Sequence, residues 1–202
     1  MPRRTTLAVV VVVVAAAVIA LVALAGGGGK GLAPEAATGQ VELASSAVAV
    51  VPEAERTALP AFTGQTLDGR ELDLASLRGR PLVLNFWASW CGPCRAEQEG
   101  LELASKALAG KDVRTVGVNI RDDKGAAVSY LEEYGVGYPS LFDRPAVLSA
   151  RLGALGPQAP PYTLVVDARG RVAARVFGAL PGGDPRRQAA LLTDLVERVT
   201  GA

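Results

Sequence analysis

Two cysteines, Cys91 and Cys94, most constrain what this chain can fold into. They are the only cysteines of the 202-residue sequence, and Gly92 and Pro93 lie between them. The run immediately before them, residues 82–88 (LVLNFWA), is almost entirely apolar, as expected for a central strand covered on both faces. Two cysteines three positions apart across the start of a helix have their sulfurs within disulfide distance. The sequence therefore predicts a buried strand that leads directly into a helix carrying a pair of reactive cysteines.

The composition excludes several kinds of chemistry. The sequence has no histidine, which removes histidine-based acid–base catalysis, Ser-His-Asp and Cys-His systems, and most zinc and copper sites. Two cysteines without histidine are too few ligands for a metal site, so neither a metal nor another cofactor is expected. The 21 basic and 20 acidic residues give a net charge of +1, and this balance provides no argument for nucleic acid as a partner.

The N-terminus is predicted to be a membrane-targeting segment. Arg3 and Arg4 precede an uninterrupted apolar run from Leu7 to Ala25. As a helix, this run would rise about 28 Å, close to the bilayer core of about 30 Å, with the basic residues on the cytoplasmic side. Residues 1–25 are expected to be a single-pass anchor, or else a signal peptide cleaved after the A-x-A pattern that ends at Ala25. Both alternatives place the domain outside the cytoplasm, at the cell membrane or secreted, where disulfide chemistry is possible.

Residues 26–55 are predicted to be a flexible linker. Four consecutive glycines open this segment, and Ala, Ser, Gly and Pro dominate the rest, a composition typical of linkers. Residues 41–51 are apolar enough for a transient strand or helix, but they show no clear period. The folded domain is therefore expected to span residues 56–202.

Downstream of residue 82, apolar strands alternate with helical patterns. Strands are predicted over residues 82–88, 113–120, 138–142, 163–166 and 171–177. Helices are predicted over residues 92–108, 122–134, 145–152 and 185–200. The turn at residues 167–170 joins the last two strands as a hairpin. The order β-α-β-α-β-α-β-β-α indicates an α/β domain with a mixed sheet covered by helices on both faces.

The position of Cys91 at a helix start predicts its reactivity. A sulfur at the N-cap lies over free backbone N–H groups and the positive end of the helix dipole. Both favour the thiolate, so we expect Cys91 to be the nucleophile and Cys94, one turn inward, to be the resolving cysteine. Pro93 fits the first helical turn, and Trp90 is expected to shape the approach of a substrate. The alternatives are a structural disulfide, whose small loop would stabilise little, half a zinc site, which lacks two ligands, or a chance pair.

The segment from Asn85 to Glu97 (NFWASWCGPCRAE) resembles the active-site stretch of thioredoxin-like thiol–disulfide oxidoreductases of the TlpA/ResA type. These proteins are membrane-anchored or exported. The resemblance covers about residues 60–200 and includes four further motifs: LPAF at 59–62, DG at 68–69, YPS at 138–140 and PYTLVVD at 161–167. It implies a thioredoxin-like mixed sheet flanked by helices.

The resemblance also implies a role for Pro161. It matches the cis-proline that faces the cysteines in this family, and an X-Pro cis bond is uncommon enough to be a deliberate feature. This geometry would expose the backbone of Pro160 as an edge for an extended substrate. Pro160 itself has no N–H, so it cannot donate a hydrogen bond to a substrate backbone. The alternative is that the two prolines form an ordinary rigid loop.

Two further positions are implied to tune the cysteines. Glu97 matches a glutamate that lies beside the pair and adjusts its acidity, and we expect it to exchange the Cys94 proton provided burial raises its pKa. The alternative is a surface charge favoured by the helix dipole. Asn85 stands where cytosolic thioredoxins have a buried aspartate, so that proton acceptor is absent. Three further charged residues of this helix are expected to be solvated: Arg95, Glu99 and Glu102.

The expected function is that of an extracytoplasmic thiol–disulfide oxidoreductase acting on protein dithiols or disulfides. Cys-Gly-Pro-Cys is the sequence of reducing thioredoxins, at about −270 mV against about −120 mV for the oxidant DsbA. It favours reduction of exported proteins such as apocytochrome c, with a membrane thiol reductase as electron donor. The alternatives are an extracytoplasmic oxidant, a thiol peroxidase and a non-enzymatic binding module of the copper-delivery type. Residues 89–91 do not match the Thr-x-x-Cys site of peroxidases, and copper-delivery relatives require histidine.

Overall fold

A mixed β-sheet is built around the apolar strand that precedes the cysteines. The structure is a computed structural model that describes residues 40–43 and 46–202. In this part of the chain the strands are β1 (Gln40–Leu43), β2 (Ser46–Val50), β3 (Thr63–Gln65), β4 (Glu71–Asp73), β5 (Leu82–Trp87), β6 (Arg114–Ile120), β7 (Ser140–Asp143), β8 (Tyr162–Val166) and β9 (Val172–Phe177). The main sheet has the order β1-β2-β9-β8-β5-β6-β7, and β3 and β4 form a separate antiparallel pair.

The helices follow the order that the sequence predicts. They are α1 (Gly92–Ala109), α2 (Lys124–Glu133), α3 (Val147–Arg151) and α4 (Pro185–Thr200). Short 3-10 turns lie at Glu53–Glu55, Leu74–Leu77 and Gly153–Leu155. From β5 to α4 the order is β-α-β-α-β-α-β-β-α, which confirms the predicted alternation.

The register of the central strands places the cysteine motif and the diproline at one edge of the sheet. β5 is parallel to β6 and antiparallel to β8, with Phe86 opposite Tyr162. Because β8 runs opposite to β5, its first residue lies beside the last residues of β5. Cys91 follows β5 after a short loop, and Pro161 immediately precedes β8.

Helices cover both faces of the sheet. Alternate residues of a strand point to opposite faces, and Val83 and Leu84 belong to different core clusters. Val83 packs with apolar residues of α1 and α4. Leu84 packs on the other face with residues that include Leu148 of α3. Trp87 lies on the same face as Val83 and stacks on Tyr130 of α2, with ring centroids 4.6 Å apart.

The segment predicted to be a linker is partly folded. Ser46–Val50 forms β2, which pairs with β9 in antiparallel register, with Val48 opposite Val176. Val48 is buried in the same core cluster as Leu192 of α4. Gln40–Leu43 adds β1 beyond β2. The prediction of a flexible linker up to residue 55 is therefore wrong for these strands, because a partner strand far along the chain defines them rather than a local pattern.

The predicted membrane-targeting segment, residues 1–25, lies outside the described residues. Among the helices that the structure does describe, none combines the length and the apolar character that crossing a membrane requires. The described residues belong to one unit of the chain, residues 38–202.

Candidate active site

Cys91 and Cys94 form a disulfide at the start of α1. Their Cα atoms are 5.3 Å apart. Cys91 is the N-cap residue of the helix, and its Sγ accepts a hydrogen bond from the Cys94 amide at 3.2 Å. Both cysteines are buried, whereas Gly92 and Pro93 between them are exposed. The Cys91 sulfur thus occupies the position where free N–H groups and the helix dipole stabilise negative charge.

A buried carboxylate fixes the loop that carries the cysteines. Asp122, just after β6, accepts hydrogen bonds from the Ser89 amide at 2.6 Å and the Ser89 hydroxyl at 2.8 Å. It also accepts from Asn119 Nδ2 at 2.8 Å and from the Asp123 amide at 2.9 Å. The sequence places Asp122 at the first position of the helix predicted over residues 122–134. Asp123 is the N-cap of α2, whereas Asp122 ties the end of β6 to the residues that precede Cys91.

Trp90 lies at the surface beside Cys91. Its side chain is 59% exposed, although the indole Nε1 donates a hydrogen bond to the Arg121 carbonyl at 3.0 Å. One edge of the indole is therefore anchored while the rest faces solvent. An exposed aromatic ring adjoining Cys91 can contact an approaching polypeptide.

Glu97 is buried one helical turn beyond Cys94. The residue is 1% exposed, and its carboxylate accepts hydrogen bonds from the Leu180 amide at 2.6 Å and from Asn85 Nδ2 at 2.9 Å. Burial raises the pKa of Glu97 to about 7, against the lowering effect of these two hydrogen bonds. The alternative of a surface charge at the helix start is wrong, because this side chain is directed into the protein.

Asn85 connects Glu97 to the neighbouring strand. Its Nδ2 also donates to Thr163 Oγ1 of β8 at 3.0 Å. The amide supplies a donor to the carboxylate, whereas an aspartate here would bring a second buried negative charge. The sequence could not predict this contact, because it depends on the register between β5 and β8.

The Pro160–Pro161 peptide bond is cis. The Pro161 carbonyl accepts a hydrogen bond from the Gly178 amide at 3.2 Å, so the diproline is tied to the residue that follows β9. Tyr162, the next residue, donates from its hydroxyl to the Leu155 carbonyl at 2.7 Å. These contacts define the conformation of the chain on the β8 side of the active-site edge.

A polar cluster beneath α1 was not foreseen from the sequence. The Tyr130 hydroxyl of α2 donates to the Cys94 carbonyl at 3.1 Å, while its ring stacks on Trp87. Gln98 Nε2 donates to the Tyr138 hydroxyl at 2.8 Å. Burial raises the pKa of both tyrosines. Tyr130 is a buried residue of α2, and nothing local in the sequence indicates that its hydroxyl reaches the cysteine turn.

Three further charged residues of α1, Arg95, Glu99 and Glu102, were expected to be solvated, and two of them are. Arg95 and Glu99 are exposed, and the Arg95 guanidinium carbon lies 5.3 Å from the Tyr130 ring centroid. The expectation is wrong for Glu102, which is 8% exposed and accepts a hydrogen bond from the Gly137 amide at 3.1 Å. Within residues 46–202, no group of three or more acidic or cysteine side chains is arranged to hold a metal ion.

Thioredoxin-like disulfide oxidoreductases are the class of protein in which this fold and a Cys-x-x-Cys pair at a helix start occur together. Residues 53–192 match the Redoxin family, and the chain belongs to that family.

The relatives and structural neighbours of the chain are of the same class. It is similar to the thiol:disulfide interchange protein DsbE of Yersinia pestis, with 40% identity over 126 residues that cover 60% of this chain and 63% of that protein. It is also similar to the thiol-disulfide oxidoreductase ResA of Bacillus subtilis, with 29% identity over 121 residues covering 60% and 66% of the two chains. A DsbF homologue from Corynebacterium diphtheriae superimposes with a TM-score of 0.65 and 30% identity, covering 82% of this chain and 96% of that one. The matches span between about half and two thirds of the DsbE relatives.

Proposed function

We propose that the protein is an extracytoplasmic thiol–disulfide oxidoreductase that reduces disulfides of exported proteins. The observation that carries this proposal is the Cys91–Cys94 disulfide at the start of α1, with Cys91 Sγ in the N-cap position. A thiolate formed there is stabilised by the Cys94 amide and by the helix dipole. Cys91 is therefore the attacking cysteine and Cys94 the resolving one.

The reduced pair transfers two electrons to its substrate in two exchange steps. The Cys91 thiolate attacks one sulfur of the substrate disulfide, which breaks that bond, forms a mixed disulfide and releases one substrate thiolate to take up a proton. Cys94 then loses its proton and attacks Cys91 Sγ. This step forms the Cys91–Cys94 disulfide and releases the second substrate thiolate, which is protonated in turn. A dithiol donor regenerates the reduced pair by the reverse exchange.

Glu97 is proposed to receive the proton that Cys94 loses. With a pKa raised to about 7 by burial, both forms of the carboxyl are populated near neutral pH, as proton exchange requires. Its two hydrogen bonds hold it in place one turn beyond Cys94. Asn85, its neighbour, has no titratable proton, and the sequence has no histidine to replace it.

The site of action of the protein, the direction of electron transfer and its partners are also proposed. The similarity to DsbE proteins and to a secreted thiol-disulfide isomerase from Corynebacterium glutamicum supports a site of action outside the cytoplasm. The apolar run at residues 7–25 supports a membrane anchor or a cleaved signal. The Cys-Gly-Pro-Cys sequence supports reduction. We propose apocytochrome c as one substrate, a membrane thiol reductase as electron donor, and the cis-proline edge at Pro161 as part of the surface that binds the substrate.

The two cysteines are expected to respond differently to substitution. Cys91→Ser should abolish disulfide exchange. Cys94→Ser should accumulate mixed disulfides with protein substrates, because attack proceeds and resolution does not. The measurement is reduction of insulin by the full chain, with mixed disulfides counted on non-reducing gels.

Alkylation provides the control for the roles of the two cysteines. In the reduced protein at mildly acidic pH, Cys91 should be labelled before Cys94, since only its thiolate is stabilised by the helix start. Preferential labelling of Cys94 would contradict the assignment. A reduction potential near that of DsbA, about −120 mV, would overturn the reductive direction in favour of the oxidant.

A further inference from the structure

Arg121 is hydrogen-bonded to two segments at the edge of the sheet that carries the cysteine pair. Its carbonyl accepts the hydrogen bond from Trp90 Nε1 at 3.0 Å, and its Nη1 donates to the Gln158 carbonyl at 3.1 Å. Trp90 directly precedes Cys91, and Gln158 lies three residues before Pro161. One residue thus contacts both the nucleophile side and the cis-proline side of the active-site edge.

The backbone of Arg121 is held in an unusual conformation. Its φ is +51°, in the left-handed region that residues other than glycine rarely adopt. The Arg121 amide donates to the Arg144 carbonyl at 3.1 Å, and the next residue is the buried Asp122 that anchors Ser89. These contacts maintain a conformation that costs free energy on its own. In this conformation the carbonyl is directed to Trp90, while the guanidinium reaches Gln158.

The segment that Arg121 reaches has few hydrogen bonds of its own. Pro157 and Pro160 have no N–H, which leaves backbone donors only at Gln158 and Ala159. Both of these residues are exposed. Within residues 46–202, this bond from Arg121 is the only hydrogen bond between residues 157–160 and another element. Without it, residues 157–160 would be held by hydrogen bonds to their flanks alone, at Leu155 and Pro161.

We propose that Arg121 is a positioning residue for protein substrates. It sets the separation between the Trp90 ring and the Gln158–Ala159 backbone, and an extended substrate polypeptide binds between them. Because Pro160 cannot donate to a substrate, the nearest upstream donors are the two amides whose position Arg121 fixes. Arg121 contacts neither cysteine, so its effect is on substrate binding and not on the exchange step. This inference rests on the proposed function.

The test compares a protein substrate with a small one. Arg121→Ala removes the bond to Gln158 but leaves the backbone carbonyl that holds Trp90. For insulin reduction by the full chain, KM should rise by about fivefold, the effect of losing one hydrogen bond, with kcat unchanged. The rate with oxidised glutathione, which is not an extended polypeptide, should not change. Arg121→Lys retains a donor and should restore part of the KM.

Arg144→Ala is the matched control, because Arg144 is a neighbouring exposed arginine. The substitution retains the Arg144 carbonyl, which accepts the hydrogen bond from the Arg121 amide. It removes the same charge and should leave KM unchanged. Amide chemical shifts measured by NMR provide an independent readout: Arg121→Ala should shift the Gln158 and Ala159 amide resonances, whereas Arg144→Ala should not. Equal KM values for Arg121→Ala and Arg144→Ala would overturn this inference but not the proposed function. So would a loss of activity in Arg121→Ala that is as large with oxidised glutathione as with insulin. A wild-type protein that reduces neither insulin nor oxidised glutathione would overturn the proposed function and this inference with it.

Discussion

Glu97 is a buried carboxyl group whose pKa lies near neutral pH. The sequence has no histidine, and in the oxidised protein both cysteines are held in the disulfide and do not titrate. Burial raises the pKa of Glu97 to about 7 from its usual value of 4.5. A carboxyl group therefore changes its charge in the pH range where histidine usually does.

The stability of the oxidised protein should fall as Glu97 ionises. The unfolded chain has the lower pKa, so the stabilising contribution is fully present below about pH 4.5 and is lost as pH rises through about 7. The shift corresponds to about 3 kcal/mol in the free energy of unfolding. Glu97→Gln is almost isosteric and does not titrate, so its stability relative to wild type should rise over this window. Urea unfolding at several pH values measures the difference, and parallel curves for the two proteins would contradict the prediction.

The functional residues that the sequence predicts are those whose neighbours are local. Cys91 and Cys94 could be identified from their spacing and from the strand before them, and Glu97 from the resemblance to the TlpA/ResA type together with its position one turn further along the helix. The partners of Glu97 could not be identified, since Asn85 lies on another strand and Leu180 in a distant loop. Asp122 was missed as an anchor for the same reason. A carboxylate after a strand is consistent with both a helix cap and a buried anchor.

At the scale of elements, the contact between α1 and α4 is tight enough to exclude a methyl group. A Cβ at Gly100 of α1 would lie 2.5 Å from Gln188 Oε1, 2.7 Å from Gln188 Cβ and 3.1 Å from the Pro185 carbonyl. Gln188 in turn donates from Nε2 to the Leu180 carbonyl at 3.2 Å. The close approach of the two helices therefore supports the loop whose amide binds Glu97.

Gly100→Ala should destabilise the protein by about 1–3 kcal/mol, the usual effect of overpacking. Gly110→Ala is the control, because Gly110 ends the same helix with a φ of −65° and a Cβ there would lie 3.4 Å from the nearest atom, the Ala107 carbonyl oxygen. That variant should be neutral or slightly stabilising. Thermal unfolding of the oxidised proteins measures both, and equal midpoints would show that α4 can move away without loss.

The elements with a clear pattern were predictable, and those defined by distant partners were not. The apolar run of β5 and the Asp184-Pro185 start of α4 can be read directly from the sequence. β2 has the composition Ser-Ala-Val-Ala-Val, without a clear period, and becomes a strand by pairing with β9. β3 and β4 are only three residues each and form a separate pair. The alternation of apolar and polar residues over three positions is too short to be distinguished from the pattern of a turn or loop.

At the scale of the whole molecule, Arg56 connects three parts of the chain. Its Nη1 pairs with Asp167 at 3.2 Å, its Nε donates to the Val51 carbonyl at 3.2 Å, and its Nη2 donates to the Val199 carbonyl at 3.0 Å. The segment before β3, the β8–β9 turn and the last turn of α4 thus meet at one guanidinium. Burial acts to raise the pKa of Asp167, but hydrogen bonds from Arg171 and Arg56 hold it below its ordinary value.

Arg56→Gln should lower the free energy of unfolding by about 1–3 kcal/mol, because it leaves a largely buried carboxylate short of a charged partner. The part of this unfolding free energy that comes from Asp167 is present above the carboxyl's unfolded-state pKa of about 3.9. It is lost as pH falls through the lower pKa of the folded state. The two proteins should therefore converge in stability at acid pH. The control is Arg70→Gln, which removes an exposed pair with Asp68 and should change stability by less than about 1 kcal/mol. Equal effects of both substitutions in urea unfolding would contradict a special role for Arg56.

Under the proposal that residues 1–25 anchor the chain in a membrane, the strands at residues 40–50 shorten the segment that can separate the sheet from the bilayer. For a chain anchored through residues 1–25, as proposed, the 30 residues assigned to a linker by sequence could extend at most about 110 Å. Because β1 begins at Gln40, only residues 26–39 remain between the anchor and the sheet, and they can extend at most about 50 Å. The greatest extension of the segment between the anchor and the sheet is thus about half of what the sequence-based linker would allow. Under the same proposal, a partner in that membrane would meet the cysteine pair at a higher local concentration, and a substrate would have to come close to the lipid surface to be reduced.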